Sequence, residues 1–319
     1  MMERRPLAAS RTPTEQGTDM NITRTTAAAG AAAGLLAASA CSGGERQNEV
    51  AAQADASVAE GAAESCADVG ENYPDLEGQS LTVGSSPGLN YYNLVDESDP
   101  SEVIGLEPDL IGAVAECLGF DYTYQKTDFN GLIPALQSDR IDLITSGMYA
   151  TEERAQEVSF VTYMKASQSA VVQAGNPEGI ESLEDICGAT VAQVVGTVEV
   201  EVAAEQSEKC EAAGEPPIET LDFTTNNQLV SALTDQRADI FLTDTGVAAY
   251  LADEFDGLEV GFDLVSDFRF GIGVGKENTE LRDAISESLT ALHEDGQVAA
   301  IAAEWGFPED GVIEPENVG

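Results

Sequence analysis

Residues 129–142 read FNGLIPALQSDRID, and residues 226–239 repeat the same pattern as NNQLVSALTDQRAD. Each stretch predicts a helix, a short polar turn with Asp and Arg, and then an Asp that leads into a strand. The same supersecondary unit therefore occurs twice in the chain. A protein built from two such lobes is expected to have a cleft between them, where ligands bind.

Strands and helices alternate outward from these two stretches, over residues 79–306. Short apolar runs predict strands at 81–86, 120–125, 141–147, 169–173, 190–195, 239–242 and 271–275. Helical spacing of apolar residues predicts helices at 106–118, 132–137, 198–208, 227–234, 245–251, 279–293 and 297–305, and a short helix from Thr151. This alternation predicts an α/β fold with a largely parallel sheet and helices on both faces.

The chain is strongly acidic, with 14 Lys and Arg against 58 Asp and Glu and a formal net charge of −44. Binding to nucleic acid needs clustered Lys and Arg at the phosphates, so we expect no nucleic acid partner. The same charge argues against electrostatic docking on anionic lipid. A hydrophobic fraction of 43% is enough for a real core.

The N-terminus has the composition of a secretory signal peptide, which we assign to residues 1–40. Four Arg precede an uncharged run of small apolar residues at 25–40, which is too short to cross a membrane as a helix. Met20 is an alternative true start, because the sequence after it is itself a compact signal peptide.

The apolar run ends at Cys41 within LAASACSGG, residues 36–44, which resembles a bacterial lipobox. The resemblance implies that Cys41 becomes the lipidated first residue of the mature protein; a plain signal peptide is the alternative. Two acyl chains anchor a protein stably where one does not. Acidic residues, Ala, Gln and Ser dominate residues 41–78, which predicts a disordered acidic tether before the folded domain.

Four cysteines remain besides Cys41, an even number that suits disulfides outside the cytosol. Four cysteines allow three pairings. We favour Cys187–Cys210 and Cys66–Cys117, because each pair lies within one predicted lobe. No pair has the CxxC spacing typical of metal and redox sites, so we expect no metal.

Residues 79–306 resemble the family 3 extracellular solute-binding proteins of ABC importers for polar amino acids. Several motifs carry the resemblance, and they occur in the family's order. They are GLEPDL at 105–110, FNGLIPAL at 129–136, MYATEER at 148–154 with VSF at 158–160, Gly196-Thr197, LTD at 242–244, and TELR at 279–282 with Trp305-Gly306. The implied fold is the bilobed periplasmic-binding-protein type II fold, an α/β fold with two open mixed sheets, flanking helices and a two-crossing hinge.

The resemblance also implies how the chain divides. One lobe takes residues 79–168 and 270–306, and the other takes residues 169–265. The hinge crossings fall near Lys165–Ser169 and Ser266–Phe270, and residues 307–319 form a C-terminal tail. Closure of the two lobes on a ligand is a hinge motion.

A zwitterionic amino acid needs a cation for its carboxylate and an anion for its ammonium, and the resemblance assigns these roles to Arg154 and Asp244. The planar guanidinium binds a carboxylate through two parallel hydrogen bonds and stays charged. Asp244 follows a predicted strand at its carboxyl end, where α/β sheets place their ligands. The alternatives are a surface Arg paired with Glu153 or Glu157, and an Asp that caps the next helix.

Further ligand-binding residues follow from the same motifs. Gly196, Thr197 and Val198 open a predicted helix whose backbone N–H groups suit a carboxylate. Phe129 is expected to stack on the ligand; the alternative is a place in the core. Other expected contacts, of which the last two replace the family's usual aromatic wall, are Ser146, Gly147, Tyr149, Leu89 and Tyr91.

Together these features predict a lipid-anchored, extracytoplasmic binding protein that captures an amino acid and delivers it to the membrane permease of an ABC importer. We expect a monomer without a cofactor and without catalysis, because the sequence has no serine-hydrolase or zinc-protease motif and its one His lies late in a predicted helix. A compatible-solute binder for ectoine or betaine, with an aromatic cage, is the runner-up. A periplasmic dehydratase on the same fold is the least favoured alternative.

Overall fold

The computed structural model describes residues 66–88, 90–96 and 98–319. Its helices are α1 (Ala67–Asn72), α2 (Leu106–Leu118), α3 (Leu132–Gln137), α4 (Arg154–Glu157), α5 (Val198–Ala213), α6 (Asn226–Thr234), α7 (Thr245–Glu254), α8 (Thr279–Glu294) and α9 (Gln297–Glu304). Its strands are β1 (Ser80–Ser85), β2 (Leu94–Val95), β3 (Val103–Ile104), β4 (Asp121–Lys126), β5 (Leu143–Ile144), β6 (Ser159–Gln173), β7 (Thr190–Val194), β8 (Glu219–Phe223), β9 (Ile240–Asp244), β10 (Leu258–Val274) and β11 (Val312–Val318). Three-residue and four-residue 3-10 turns lie at Phe129–Gly131, Leu183–Ile186 and Glu309–Gly311.

The main sheet contains two parallel units of three strands each. Its strand order is β4-β1-β5-β10-β6-β9-β7-β8, with β11 also beside β6. β1 pairs parallel with β4 and β5, and β7 pairs parallel with β8 and β9. We call β4-β1-β5 the first trio and β9-β7-β8 the second trio. Helices connect the parallel strands within each trio, so the predicted α/β alternation is confirmed.

Two long antiparallel strands join the trios. β6 has 15 residues and β10 has 17; β10 pairs with β5 of the first trio, and β6 pairs with β9 of the second. Because both strands run from one trio to the other, they join the two predicted sheets into one continuous hydrogen-bonded ladder. The predicted hinge segments 165–169 and 266–270 lie within these strands, where the pairing shifts register between Leu264 and Phe268.

The two repeated sequence stretches have the same local structure. The turn after α3 contains Asp139 at φ 53°, and the turn after α6 contains Gln236 at φ 56°. Beyond each turn, an Asp carboxylate accepts a hydrogen bond from a backbone N–H of the central strand of its trio. Asp142 accepts from Thr82 of β1 at 2.7 Å, and Asp239 accepts from Thr190 of β7 at 2.8 Å. The predicted duplication is therefore confirmed down to single hydrogen bonds.

The apolar face of α2 illustrates how the sequence builds the core. Leu110, Ile111, Val114 and Leu118 are at most 1% exposed, and they follow the helical spacing i, i+1, i+4, i+8. Gly119 ends the helix in the left-handed conformation at φ 73°. Truncating one of these Leu side chains to Ala costs about 2–5 kcal/mol in cores of this kind.

Both predicted disulfides are present, and one of them corrects the predicted tether. Cys187 bonds to Cys210, and Cys66 bonds to Cys117 of α2. The disulfide and the burial of Leu76, 6% exposed, hold residues 66–78 against the folded domain. The prediction of a disordered tether to residue 78 was therefore wrong for this part. The predicted signal peptide, Cys41 and the rest of the tether lie outside the described residues, and within the described ones no helix is long and apolar enough to span a membrane.

The C-terminal residues belong to the sheet. Residues 312–318 form β11, which pairs antiparallel with β6 from Phe160 to Met164. This pairing occupies the edge of β6 that β9 leaves open, since β9 pairs with β6 only from Gln168 to Val172. An unpaired strand edge exposes backbone donors and acceptors, and β11 satisfies them. The predicted tail at 307–319 was therefore wrong.

Candidate functional site

A cavity lies at the carboxyl ends of the parallel strands of both trios. Its lining includes Ser86 after β1, Ser146 after β5, Val194 at the end of β7, Thr224 after β8 and Asp244 at the end of β9. This is the edge at which α/β sheets bind ligands. The cavity has a volume of about 90 Å³, which holds a small organic molecule, since one water needs roughly 10–15 Å³.

Most of the predicted ligand-binding residues meet at this cavity. The ones that line it are Phe129, Ser146, Gly147, Tyr149, Arg154, Thr197, Val198 and Asp244. Gly196 does not line the cavity; it has φ 83°, and an added Cβ would come within 2.9 Å of the Asn130 Cβ. Tyr91 lies away from the cavity lining, with its ring edge-on to Tyr250 at 4.7 Å. Leu89 is outside the described residues.

Arg154 reaches across the cavity from the end of the first trio. It is the first residue of α4, which begins three residues later than the predicted start at Thr151, and its backbone N–H donates to the Thr151 hydroxyl at 3.2 Å. Its Nη1 donates to the Tyr149 carbonyl at 2.9 Å, and its Nη2 donates to the Gly196 carbonyl at 3.0 Å. The guanidinium carbon lies 5.4 Å from the centre of the Phe129 ring. The guanidinium therefore faces the cavity.

Removal from water is the main influence on the pKa of Arg154. Burial lowers the pKa of the guanidinium, and the negative charge of Glu199 opposes this effect. Arg stays protonated in proteins even when its pKa is lowered. Arg154 therefore supplies a fixed positive charge at the cavity.

Asp244 uses its two carboxylate oxygens differently. Oδ1 accepts hydrogen bonds from the Gly246 N–H at 2.7 Å, the Val247 N–H at 3.4 Å and the Tyr92 hydroxyl at 2.5 Å. Asp244 is thus the N-cap of α7, as the alternative prediction stated. Oδ2 accepts from the Tyr149 hydroxyl at the longer distance of 3.3 Å, which leaves it the more weakly occupied oxygen.

Burial also shapes the titration of Asp244 and its two tyrosine partners. It raises the pKa of Asp244 to about 6, while the hydrogen bond from Tyr92 and those from the backbone N–H groups act in the opposite direction. Burial and the nearby Asp244 charge raise the pKa of Tyr92 and Tyr149 well above their ordinary value. Both phenols therefore keep their protons and act as donors.

Aromatic rings form the wall behind Asp244. Tyr149 stacks on Phe268 with ring centres 4.9 Å apart, and Tyr92 packs on Phe270 at 4.6 Å and on Phe307 at 4.8 Å. The wall therefore comes from the loop after β1, the turn after β5, β10 and the C-terminal segment. Asp244 is 8% exposed beside these rings.

The structure adds residues that sequence reasoning missed. Tyr92 lines the cavity in place of its neighbour Tyr91, so the predicted loop is correct and the predicted ring was wrong. Glu199 also lines the cavity, at 7% exposure, and its Oε1 accepts from the Gln168 Nε2 at 2.8 Å. Its position directly after Gly196-Thr197-Val198 was the available signal. Other polar lining residues that were missed are Ser86, Asn90, Thr224, Thr225, Asn226 and Thr243.

The charged side chains among the lining residues carry a net negative charge. They comprise one cation, Arg154, and two acidic groups, Asp244 and Glu199. Buried charges are strongly unfavourable unless opposite charges or donors compensate them. The arrangement favours a ligand with one carboxylate and two cationic groups.

Comparisons with known proteins relate the whole folded region to one family. Residues 81–309 match the family "Bacterial extracellular solute-binding proteins, family 3". The arginine-binding protein of Corynebacterium glutamicum is 31% identical over 236 residues, which are 73% of this chain and 76% of the relative. The histidine-binding periplasmic protein of Escherichia coli is 25% identical over 235 residues, which are 71% and 87% of the two chains. The solved structure of an ancestral arginine-binding protein bound to arginine is 31% identical, with a TM-score of 0.65, and covers 72% of this chain and 99% of its own.

Proposed function

Because the chain belongs to the bacterial extracellular solute-binding proteins of family 3, we propose that it captures an amino acid with a cationic side chain and delivers it to the permease of an ABC importer. The observation that carries the proposal is the charge set at the cavity: Arg154 against Asp244 and Glu199. A basic amino acid has one carboxylate and two cationic groups, so its charges complement all three. The relatives named for arginine and histidine support the same class of ligand.

Arg154 binds the ligand carboxylate in this proposal. Its guanidinium has five N–H donors, and the two described bonds to the Tyr149 and Gly196 carbonyls leave three for a ligand. The backbone N–H groups at the start of α5, after Thr197, add donors and the positive end of the helix dipole. The carboxylate therefore lies between a side chain of the first trio and a helix of the second.

Asp244 binds the ligand ammonium through Oδ2. This oxygen accepts only the long 3.3 Å bond from Tyr149 among the described residues, so it has lone pairs for a stronger donor. Oδ1, held by Tyr92 and the backbone of α7, fixes the direction in which Oδ2 points. A charge-assisted hydrogen bond from ammonium is roughly twice as strong as a neutral one.

Glu199 and Phe129 receive the cationic side chain. Glu199 is buried at the cavity, and within the described part of the chain its hydrogen-bond partner is a neutral amide, Gln168. A ligand cation would supply the missing counter-charge. The Arg154 guanidinium lies over the Phe129 ring, and this ring also offers an aromatic face on which the ligand can stack.

Closure about β6 and β10 encloses the ligand. We propose the lobes 79–168 with 270–306, and 169–265, with the hinge at Lys165–Ser169 and Ser266–Phe270. Two contacts between the trios support a closing motion of this kind: Arg154 donates to Gly196, and Tyr92 donates to Asp244. Both contacts form at the cavity itself, so closing would complete the binding site.

The protein works at the cell envelope in this proposal. The signal-like residues 1–40 are removed and Cys41 is lipidated, which anchors a monomeric binding domain beside the permease. No catalysis is included, since the named relatives are binding proteins. Those names also favour an amino acid over ectoine or betaine.

A thermal-shift screen tests the proposal. The purified protein is melted with each of the twenty amino acids and with ectoine and betaine, because a ligand that binds the native state raises the melting temperature. We expect arginine, lysine or histidine to give the largest increase, with aspartate and glutamate inactive. A largest increase with a neutral or acidic amino acid would reject the cationic class, and no increase with any amino acid would reject the function.

A further inference from the structure

Glu107 is a buried carboxylate that the proposed ligand contacts do not use. It is the second residue of α2 and is 1% exposed. Its Oε1 accepts from the Tyr163 hydroxyl at 2.7 Å, and its Oε2 accepts from the Gly147 N–H at 2.8 Å and from the Asn93 side-chain amide. Burying a carboxylate is unfavourable unless donors satisfy it, so three donors on one such group mark a place where a precise geometry is held.

The three donors come from three separate segments around the cavity. Gly147 belongs to the turn 146–149, of which Ser146, Gly147 and Tyr149 line the cavity. Asn93 directly follows Tyr92, whose hydroxyl holds Asp244. Tyr163 lies on β6, one of the two strands that join the trios. Glu107 therefore ties the binding turn, the Tyr92 loop and a connecting strand to one point behind the cavity.

The contact with Gly147 controls the direction of the binding turn. Gly147 has φ 56°, a left-handed conformation that turns its N–H toward Glu107. Two residues later, the Tyr149 carbonyl accepts the Arg154 Nη1 and the Tyr149 hydroxyl reaches Asp244. A shift of this turn would move both ligand-binding charges, and misplacements of about 1 Å already weaken such sites strongly.

We propose that Glu107 is a positioning residue for ligand binding. Through Gly147 it fixes the positions of Arg154 and Tyr149, and through Asn93 it fixes the position of Tyr92. The inference rests on the proposed function only in that the cavity is the ligand site. Glu107 itself makes no ligand contact. Its role is to accept hydrogen bonds at a fixed point, and this role does not require a negative charge.

A matched pair of variants separates this role from simple burial. Glu107→Leu keeps the approximate size but removes every acceptor. Glu107→Gln keeps one oxygen for Gly147 and Asn93, while its amide donates to the Tyr163 hydroxyl, which can accept as well as donate. Glu116→Leu on the exposed side of α2 is the control for the same kind of substitution on the same helix.

Two measurements are made on each variant: the Kd for L-arginine by calorimetry, and the hydrogen-exchange rate of the Gly147 amide by NMR. We expect Glu107→Leu to weaken binding and to speed exchange about tenfold or more, since a buried donor loses its acceptor. Glu107→Gln is expected to stay within about threefold of the wild type in both, because the acceptor is restored. Wild-type values in Glu107→Leu, or an equal loss in Glu107→Gln, would overturn the proposal.

The exchange measurement separates this proposal from the proposed function. If the wild type binds none of the twenty amino acids, the proposed function fails, but the Gly147 exchange rate still decides whether Glu107 holds the turn. If Glu107→Leu does not fold, Glu107→Asp replaces it: one methylene fewer withdraws the carboxylate from Gly147. Faster Gly147 exchange in Glu107→Asp supports the proposal, and an unchanged rate overturns it.

Discussion

At the scale of single residues, the candidate binding cavity depends on a few charged groups held by backbone atoms. Arg154 is fixed by two carbonyls, one from each side of the cavity, and Asp244 by two backbone N–H groups and two phenols. Motifs in the sequence identified both residues. The Tyr92–Asp244 contact could not be predicted, because it joins residues 152 positions apart and depends on how the trios pack.

Arg154→Ala is expected to weaken arginine binding by at least about tenfold, since it removes a charged partner from a desolvated site. Calorimetric titration measures the change. Arg237→Ala is the matched control, because Arg237 is exposed and also lies over an aromatic ring, Phe223, at 5.6 Å. An unchanged Kd in Arg154→Ala, with the control also unchanged, would contradict the carboxylate role.

At the scale of elements, the sequence predicted helices and short buried strands better than long or edge strands. The helix α2 was predicted with the bounds Leu106–Leu118 that the structure has, because its apolar period and the following Gly119 are local signals. β10 was predicted only at its end, although Leu258, Val260, Phe262 and Leu264 alternate with polar residues or Gly as in a half-exposed strand. β11 gave no local signal, since it contains Pro315 and forms only by pairing with the distant β6.

The helix α7 and its cap Asp244 give a prediction about pH. Burial raises the Asp244 pKa from 3.8 to about 6, so between these values the folded protein holds a proton that the unfolded chain has released. The free energy of unfolding therefore falls as the pH rises through this window, by about 3 kcal/mol for this one group. Asp244→Asn keeps a good capping side chain but does not titrate, and it should lack this contribution.

Urea unfolding between pH 4 and pH 7 checks this expectation. As the pH rises, the free energy of unfolding of Asp244→Asn should increase relative to that of the wild type. Asp256→Asn, an exposed position beyond the end of α7, is the control and should follow the wild type. Parallel pH profiles for the wild type and Asp244→Asn would contradict a buried, titrating cap.

At the scale of the whole molecule, two equivalent trios joined by β6 and β10 place one cation and two carboxylates around a single cavity. The duplication was visible in the sequence because each copy keeps the same helix, turn and Asp. The continuity of the sheet was not visible in the sequence, because it depends on β6 and β10 extending through both trios. The central claim is that this cavity selects an amino acid with a positive side chain.

Calorimetry with L-arginine and L-citrulline tests that claim most directly, because citrulline has nearly the same shape and lacks the positive side chain. We expect the wild type to bind arginine at least about tenfold more tightly, and Glu199→Gln to reduce this preference to about threefold or less, since it removes the counter-charge. Equal affinity of the wild type for the two ligands, or a preference unchanged by Glu199→Gln, would contradict the account.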